Sequence, residues 1–145
     1  MFLSSTVTQN NIKIWRNIRN TISPDFSLED IVALFDTPPS KTRYIDYYCP
    51  ENWPNVFDIV ADGMNCQSSI SIIIAATLVD AGFIKTSKIQ FDVVSSHNVA
   101  SEGLLLKLPE GYCNFTPGKI HSAEYVKQNA SIYDSHIIAV DKLFD

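Results

Sequence analysis

No apolar run in this chain approaches the roughly 18–20 uninterrupted residues that a membrane-spanning helix requires. The longest, residues 70–79, holds Ser71 and Thr77 and is too short. A bilayer anchor is thereby excluded, and the segment is expected in a protein core. Met1-Phe2-Leu3-Ser4-Ser5-Thr6 lacks both a basic n-region and an apolar h-region, so no secretory signal is expected. Positive charge is scarce and scattered. Eleven Lys and Arg stand against 16 Asp and Glu, for a net charge of −5. Without a basic stripe, nucleic acid is excluded as a partner class. Cysteine occurs only three times, as Cys49, Cys66 and Cys113, an odd number without metal-ligand spacing. Free thiols, a cytoplasmic location where the protein is made, and no metal or cofactor are the resulting expectations. Asn114-Phe115-Thr116 and Asn129-Ala130-Ser131 match the glycosylation sequon, a match without chemical meaning if the chain is not secreted. Repeats, linkers and low-complexity tracts are also missing.

What is present fits one domain over residues 1–145, since 46% hydrophobic and 19% charged residues suit a chain with a real core. Ile12, Ile14, Trp15, Ile18 and Ile22 recur near helical spacing and predict a first helix over residues 9–23. Ser27-Leu28-Glu29-Asp30 supplies an N-cap and an acidic first turn for a second. Tyr44-Ile45-Asp46-Tyr47-Tyr48 alternates weakly, as a short strand would. Pro54 suits the first position of a helix running to Gly63. Beyond Gly82 the period changes to two: Ile89, Phe91 and Val93 alternate with Lys88, Gln90 and Asp92. Strands are also expected at residues 103–108 and 135–140, with a short helix capped by Ser122 between them. Helices first and strands last predict an α+β fold, with N-terminal helices and a buried cysteine-bearing helix packed on a C-terminal antiparallel sheet.

Asn65-Cys66-Gln67-Ser68-Ser69 stands directly before the most apolar stretch, which closes at Asp80-Ala81-Gly82. Asn65 is the expected N-cap and Gly82 the C′ residue, with Cys66 in the helix's first turn. The positive helix end and its free N–H groups stabilise a thiolate and can hold an oxyanion. The plain alternative is a small buried side chain, which most cysteines near helices are. Of the three histidines, His97 lies at a strand end and His121 in a loop. His136 leads the apolar strand Ser135-His136-Ile137-Ile138-Ala139-Val140, where a base facing a helix-borne thiol has to be. An imidazole in that role needs an orienting oxygen. Asp145 offers one if residues 143–145 return as a strand beside His136, with Asp141, Asp92 or no third residue as the alternatives.

In the order of Met64-Asn65-Cys66-Gln67-Ser68, the exit through Leu78-Val79-Asp80-Ala81-Gly82-Phe83, the His136 strand and a later Asp, residues 63–145 resemble the papain-like superfamily. Within it, the likeness leans toward the transglutaminase-like and bacterial protein-glutaminase (deamidase toxin) branch. The resemblance implies a cysteine-dependent acyl-transfer enzyme acting on a protein or peptide, an amide hydrolase of the deamidase or peptidase kind. Cys66 would then be the nucleophile, His136 the base, Asp145 its orienting group, and Asn65 or Gln67 oxyanion donors beside the Cys66 N–H. A competing reading is a non-enzymatic acidic α+β binding module with a structural Cys66. Exposed Trp53, Tyr44, Tyr47 and Tyr48 would then meet a basic protein partner. A catalytically dead papain-like fold retained for binding is the third.

Overall fold

The computed structural model describes residues 8–36, 39, 45–63, 66–98 and 102–145, with residues 8–10 described by their backbone alone. Helix α1 (Thr8–Thr21) turns Trp15 inward, and the Trp15 Nε1–H donates to Thr77 Oγ1 at 3.1 Å. Helix α2 (Leu28–Ala33) begins with a complete capping box: Ser27 Oγ accepts from Asp30 N, and the Asp30 carboxylate accepts from Ser27 N. Two of the four orphan donors of that helix end are satisfied in this way. Helix α3 (Val56–Asp62) is capped by Asn55 and stopped by Gly63 at φ 67°. Pro54 therefore stands outside α3, because Asn55 accepts from Asp58 N and takes the cap. It is Pro50 that opens a helical turn, the 3-10 segment Pro50–Asn52.

Helix α4 (Gln67–Asp80) is the central element, with 11 of its 14 residues buried. An apolar stripe is absent because the helix is enclosed on all sides. Its C-terminus is a Schellman motif: Phe83 N donates to Leu78 O at 2.9 Å, Gly82 N to Val79 O at 3.1 Å, and Gly82 has φ 83°. Strands β1 (Lys88–Ser96), β2 (Glu102–Leu108), β3 (Gly111–Cys113), β4 (Ile120–His121) and β5 (Ala130–Ala139) form one sheet in the order β4-β3-β2-β1-β5. All four neighbouring pairs are antiparallel. One face, with Ile89, Phe91, Val93, Leu104 and Leu106, joins α4 in the main core. Helix α5 (Ala123–Asn129), capped by Ser122, covers part of the other face over Val94, Leu105 and Tyr112. The α+β architecture is the expected one, helices first and sheet last.

Four local expectations fail, each for a visible reason. Residues 45–48 are a bend and turn because Asp46 Oδ1 accepts from Tyr48 N at 3.0 Å, closing the chain on itself; Tyr44 lies outside the described residues. Trp53 and Tyr47, expected at the surface, are each only 7% exposed. The last strand starts at Ala130, not Ser135, since a bulge opposite Val93/Val94 takes up the extra residue and lets pairing continue through Asp134 and Ser135. Finally, residues 143–145 do not return as a strand. Val140–Leu143 is a 3-10 turn that buries Leu143 and sets Phe144 against Phe57 at 6.2 Å between ring centroids.

Two glycines with positive φ are predicted to respond differently to alanine. At Gly82 a Cβ meets nothing within 4 Å, so Gly82→Ala should cost about 1–2 kcal/mol from backbone conformation alone. At Gly111, φ 143°, a Cβ would overlap the His121 carbonyl, and Gly111→Ala should cost more, about 3 kcal/mol. Urea melts of the two variants check the ordering; equal losses would contradict it.

Candidate functional site

Cys66 is the N-cap of α4, with φ −68° and ψ 159°, one position ahead of the expected first turn. Asn65, expected as the N-cap and as an oxyanion donor, lies outside the described residues. The Cys66 side chain is 6% exposed, its Sγ lies 3.4 Å from Ser69 Oγ, and Ser69 Oγ in turn donates to Cys66 O at 2.9 Å. A serine hydroxyl, not an imidazole, is therefore the group against the sulfur.

Gln67, the other expected oxyanion donor, has its carboxamide fully engaged. Its Oε1 accepts from Leu104 N at 2.7 Å, and its Nε2 donates to Leu104 O at 3.0 Å and Asn114 O at 3.3 Å. Strand β3 pairs with β2 only from Leu106 to Leu108, so Leu104 has no β3 residue opposite it. The Gln67 side chain takes the place of the missing strand. Asn114 completes the seam from the left-handed region, at φ 77°. Its Nδ2 donates to Gln67 O at 2.8 Å and Ser71 Oγ at 3.0 Å, while Ser71 Oγ donates to Leu104 O at 2.5 Å. Opposite this seam stands Gly103, where a Cβ would come within 2.7 Å of Gln67 Oε1. A side chain at position 103 and the carboxamide of Gln67 cannot both occupy the space. Asparagine is the non-glycine residue that most readily adopts positive φ, which was the available sequence signal for Asn114. Gly103 shows its role only through the approach of Gln67.

The histidines are all held elsewhere. His97 Nε2 lies 3.2 Å from Ser131 Oγ. His121 Nε2 lies 2.9 Å from Thr116 Oγ1, and its ring stacks on Tyr125 at 4.3 Å. Burial, then Lys119, lowers its pKa below the ordinary value. His136 sits in mid-strand opposite Phe91, and Trp53 packs edge-on against both rings at 5.6 Å. Its Nε2 is buried without a hydrogen-bond partner, and Asp134 Oδ2 is 3.5 Å away. Phe91 is level with Leu106, and Val93 with Leu104. Two strand spacings and two residues therefore place His136 about 12 Å in Cα distance from Leu104, where Gln67 is anchored. Asp145 is exposed beyond the terminal 3-10 turn, and Asp141 lies within that turn. Asp92 is 2% exposed, accepting from Tyr112 Oη at 2.5 Å and Gln90 Nε2 at 2.8 Å. The described residues include every histidine, cysteine and carboxylate of the sequence, and no hydrogen bond among them joins a histidine to a cysteine. Burial pushes the Cys113 thiol up to about 12, with Glu110 and Glu29 adding to it. Cys49 is also raised, first by its contact with Asp46.

A helix that carries a cysteine at its start packs here on an antiparallel sheet, in an α+β fold. Solved structures of Legionella pneumophila LapG share this fold. The calcium-bound form matches with a TM-score of 0.61 and 17% identity, over 89% of this chain and 75% of LapG. The EGTA-treated form gives 0.60 at the same identity, over 89% and 73%. The match is one of fold alone. No protein-family model matches the chain, and no curated protein matches it in sequence. Nor, among the described residues, is any group of three or more His, Cys, Asp or Glu placed to hold a metal ion.

The seam is testable by a double-mutant cycle. Gln67→Ala leaves the N–H of Leu104 without its partner, the carbonyl keeping Ser71 Oγ, and should cost about 2 kcal/mol. Gly103→Ala should destabilise the native chain by crowding Gln67, yet cost much less in the Gln67→Ala background, where the space is vacant. Additive losses in denaturant melts would refute the steric exclusion.

Proposed function

We propose that this chain works by binding a protein or peptide, as a papain-like fold whose helix start is tied into the sheet and not armed for acyl transfer. One observation carries the reading. Among the described residues, the side-chain polar groups that meet Cys66 and Gln67 around the first turn of α4 are the Asn114 amide and the hydroxyls of Ser68, Ser69 and Ser71. None of them is a base at neutral pH. Thiol catalysis needs a base within hydrogen-bond reach of the sulfur, and each imidazole has other neighbours. Cys66 is then a structural residue, and the acidic balance of the chain favours a basic partner.

A second reading keeps the chemistry of the fold's cysteine-protease members and is favoured by the orphaned Nε2 of His136, a ring nitrogen free to take a partner. In it, His136 draws the proton from Cys66 and the thiolate attacks an amide carbonyl of a protein or peptide. The amine leaves with the proton from His136, and water hydrolyses the thioester. Gln67 or Asn65 would assist the oxyanion, and Asp145 would orient the imidazole. This route requires Gln67 to leave Leu104 and His136 to leave Trp53. Deamidation and peptide cleavage are equally compatible with it.

Site-resolved alkylation by iodoacetamide between pH 5.5 and 9 separates the two. The binding reading predicts that native Cys66 is labelled slowly, without a fast phase below pH 7, identically in His136→Ala, and rapidly only on unfolding. Cys113 should be protected throughout. Fast labelling of Cys66 below pH 7 that is lost in His136→Ala would overturn it in favour of the hydrolase.

A further inference from the structure

At the end of the molecule away from Cys66, the segment joining α4 to β1 and the turn after β2 enclose a hollow of about 480 Å³. Helix α4, 14 residues long, separates the two regions by about 20 Å. Phe83, Ile84, Ile89, Leu108 and Ile137 make its walls apolar. Two of them stay unusually open to solvent, Phe83 at 43% and Ile137 at 67%. Around those walls stand Lys85, Lys88 and Lys107, against a single acid, Glu110. The chain as a whole has more acids than bases, 16 against 11, so the hollow reverses the charge of the rest. Lys107, Gln90 and Ile137 lie in one cross-strand row, and Lys88 is two residues from Gln90 on the same face. The two lysines thus share the face of Ile137, while Ile89 and Leu108 alternate onto the core face. Lys107 Nζ donates to Leu108 O at 3.0 Å, which leaves it two further donors.

We propose that this hollow binds a single-chain amphipathic anion, an apolar tail seated on Phe83, Ile84 and Ile137 with its carboxylate or phosphate head between Lys88 and Lys107. Its size falls within the roughly 300–1,000 Å³ of small-molecule sites, which pair mostly apolar walls with a few polar groups. Seating the tail covers the exposed Phe83 and Ile137 rings and branches, and the head meets charge of opposite sign in a partly desolvated setting. The site is independent of what Cys66 does.

The probes are sodium decanoate, decyl phosphate and decyltrimethylammonium, each titrated below its micelle concentration into the ¹⁵N-labelled full chain. Decanoate is expected to shift amides within residues 83–89 and 107–110 and at Ile137, with a dissociation constant of about 10⁻⁴ M on the ligand-efficiency scale. It should bind at least tenfold more tightly than the cationic probe of equal tail length. The paired substitution Lys88→Glu and Lys107→Glu should weaken it tenfold or more. Tighter binding of decyl phosphate than of decanoate at these amides would support the site and identify its head group. Equal binding of the cation, shifts confined to other residues, or unchanged affinity in the doubly substituted protein would overturn the proposal. The comparison of head groups is made on the native sequence and does not depend on how the variant folds.

Discussion

The carboxamide of Gln67 lies in the gap beside Leu104, and the arrangement of this protein depends on it. Strand β3 ends at Cys113 and leaves the outer edge of β2 open beyond Leu106. An N–H and a C=O buried there without partners would cost about 1–3 kcal/mol each. Gln67 meets both groups from one side chain, with Ser71 as a second donor to the carbonyl, fixing the start of α4 against the sheet. Asn114 returns two bonds to the helix from a left-handed conformation, and Gly103 gives the amide its room. Helix, strand end and turn are held by the same few groups, so none of them moves alone.

That seam also bears on chemistry. A thiol at a helix start profits from the positive helix end, and Cys66 occupies that place. What faces the helix start from the sheet and its adjoining turn, however, is Gly103, the Leu104 backbone and the Asn114 amide. The imidazole that the sequence favoured lies in one row with Phe91 beneath the edge of Trp53, whose own indole N–H donates to Asp46 O at 2.7 Å. Charge is distributed to match. The acids dominate overall, while lysines gather at the opposite end of α4 around an apolar hollow.

Much of the architecture was legible in the sequence where local and tertiary signals agreed. The capping box at Ser27, the Ser122 cap, the enclosed α4 with its Gly82 exit and the alternation of β1 each rest on side chains that act within a few residues of themselves. Legibility failed where distant partners decide. The pair Asp134-Ser135 looks like a turn, yet it stays in β5 because a bulge against β1 absorbs the extra residue. Tyr47 and Trp53 carry the composition of a surface patch and are buried by packing that their own segment does not encode. At the candidate site, Cys66 and Gln67 were found by position in the chain. The role of Gln67 was not, because it depends on where β3 stops. Asp145 was assigned to a returning strand that Leu143 and Phe144 pre-empt by packing into the core.

The most direct measurement is the pH titration of the three histidine ring resonances in the native chain and in Cys66→Ser, a change that keeps a hydroxyl near Ser69. If the helix start is a structural seam, the curves of His97, His121 and His136 coincide in the two proteins. A displaced His136 curve in Cys66→Ser would mean that thiol and imidazole share a proton, and would contradict the account.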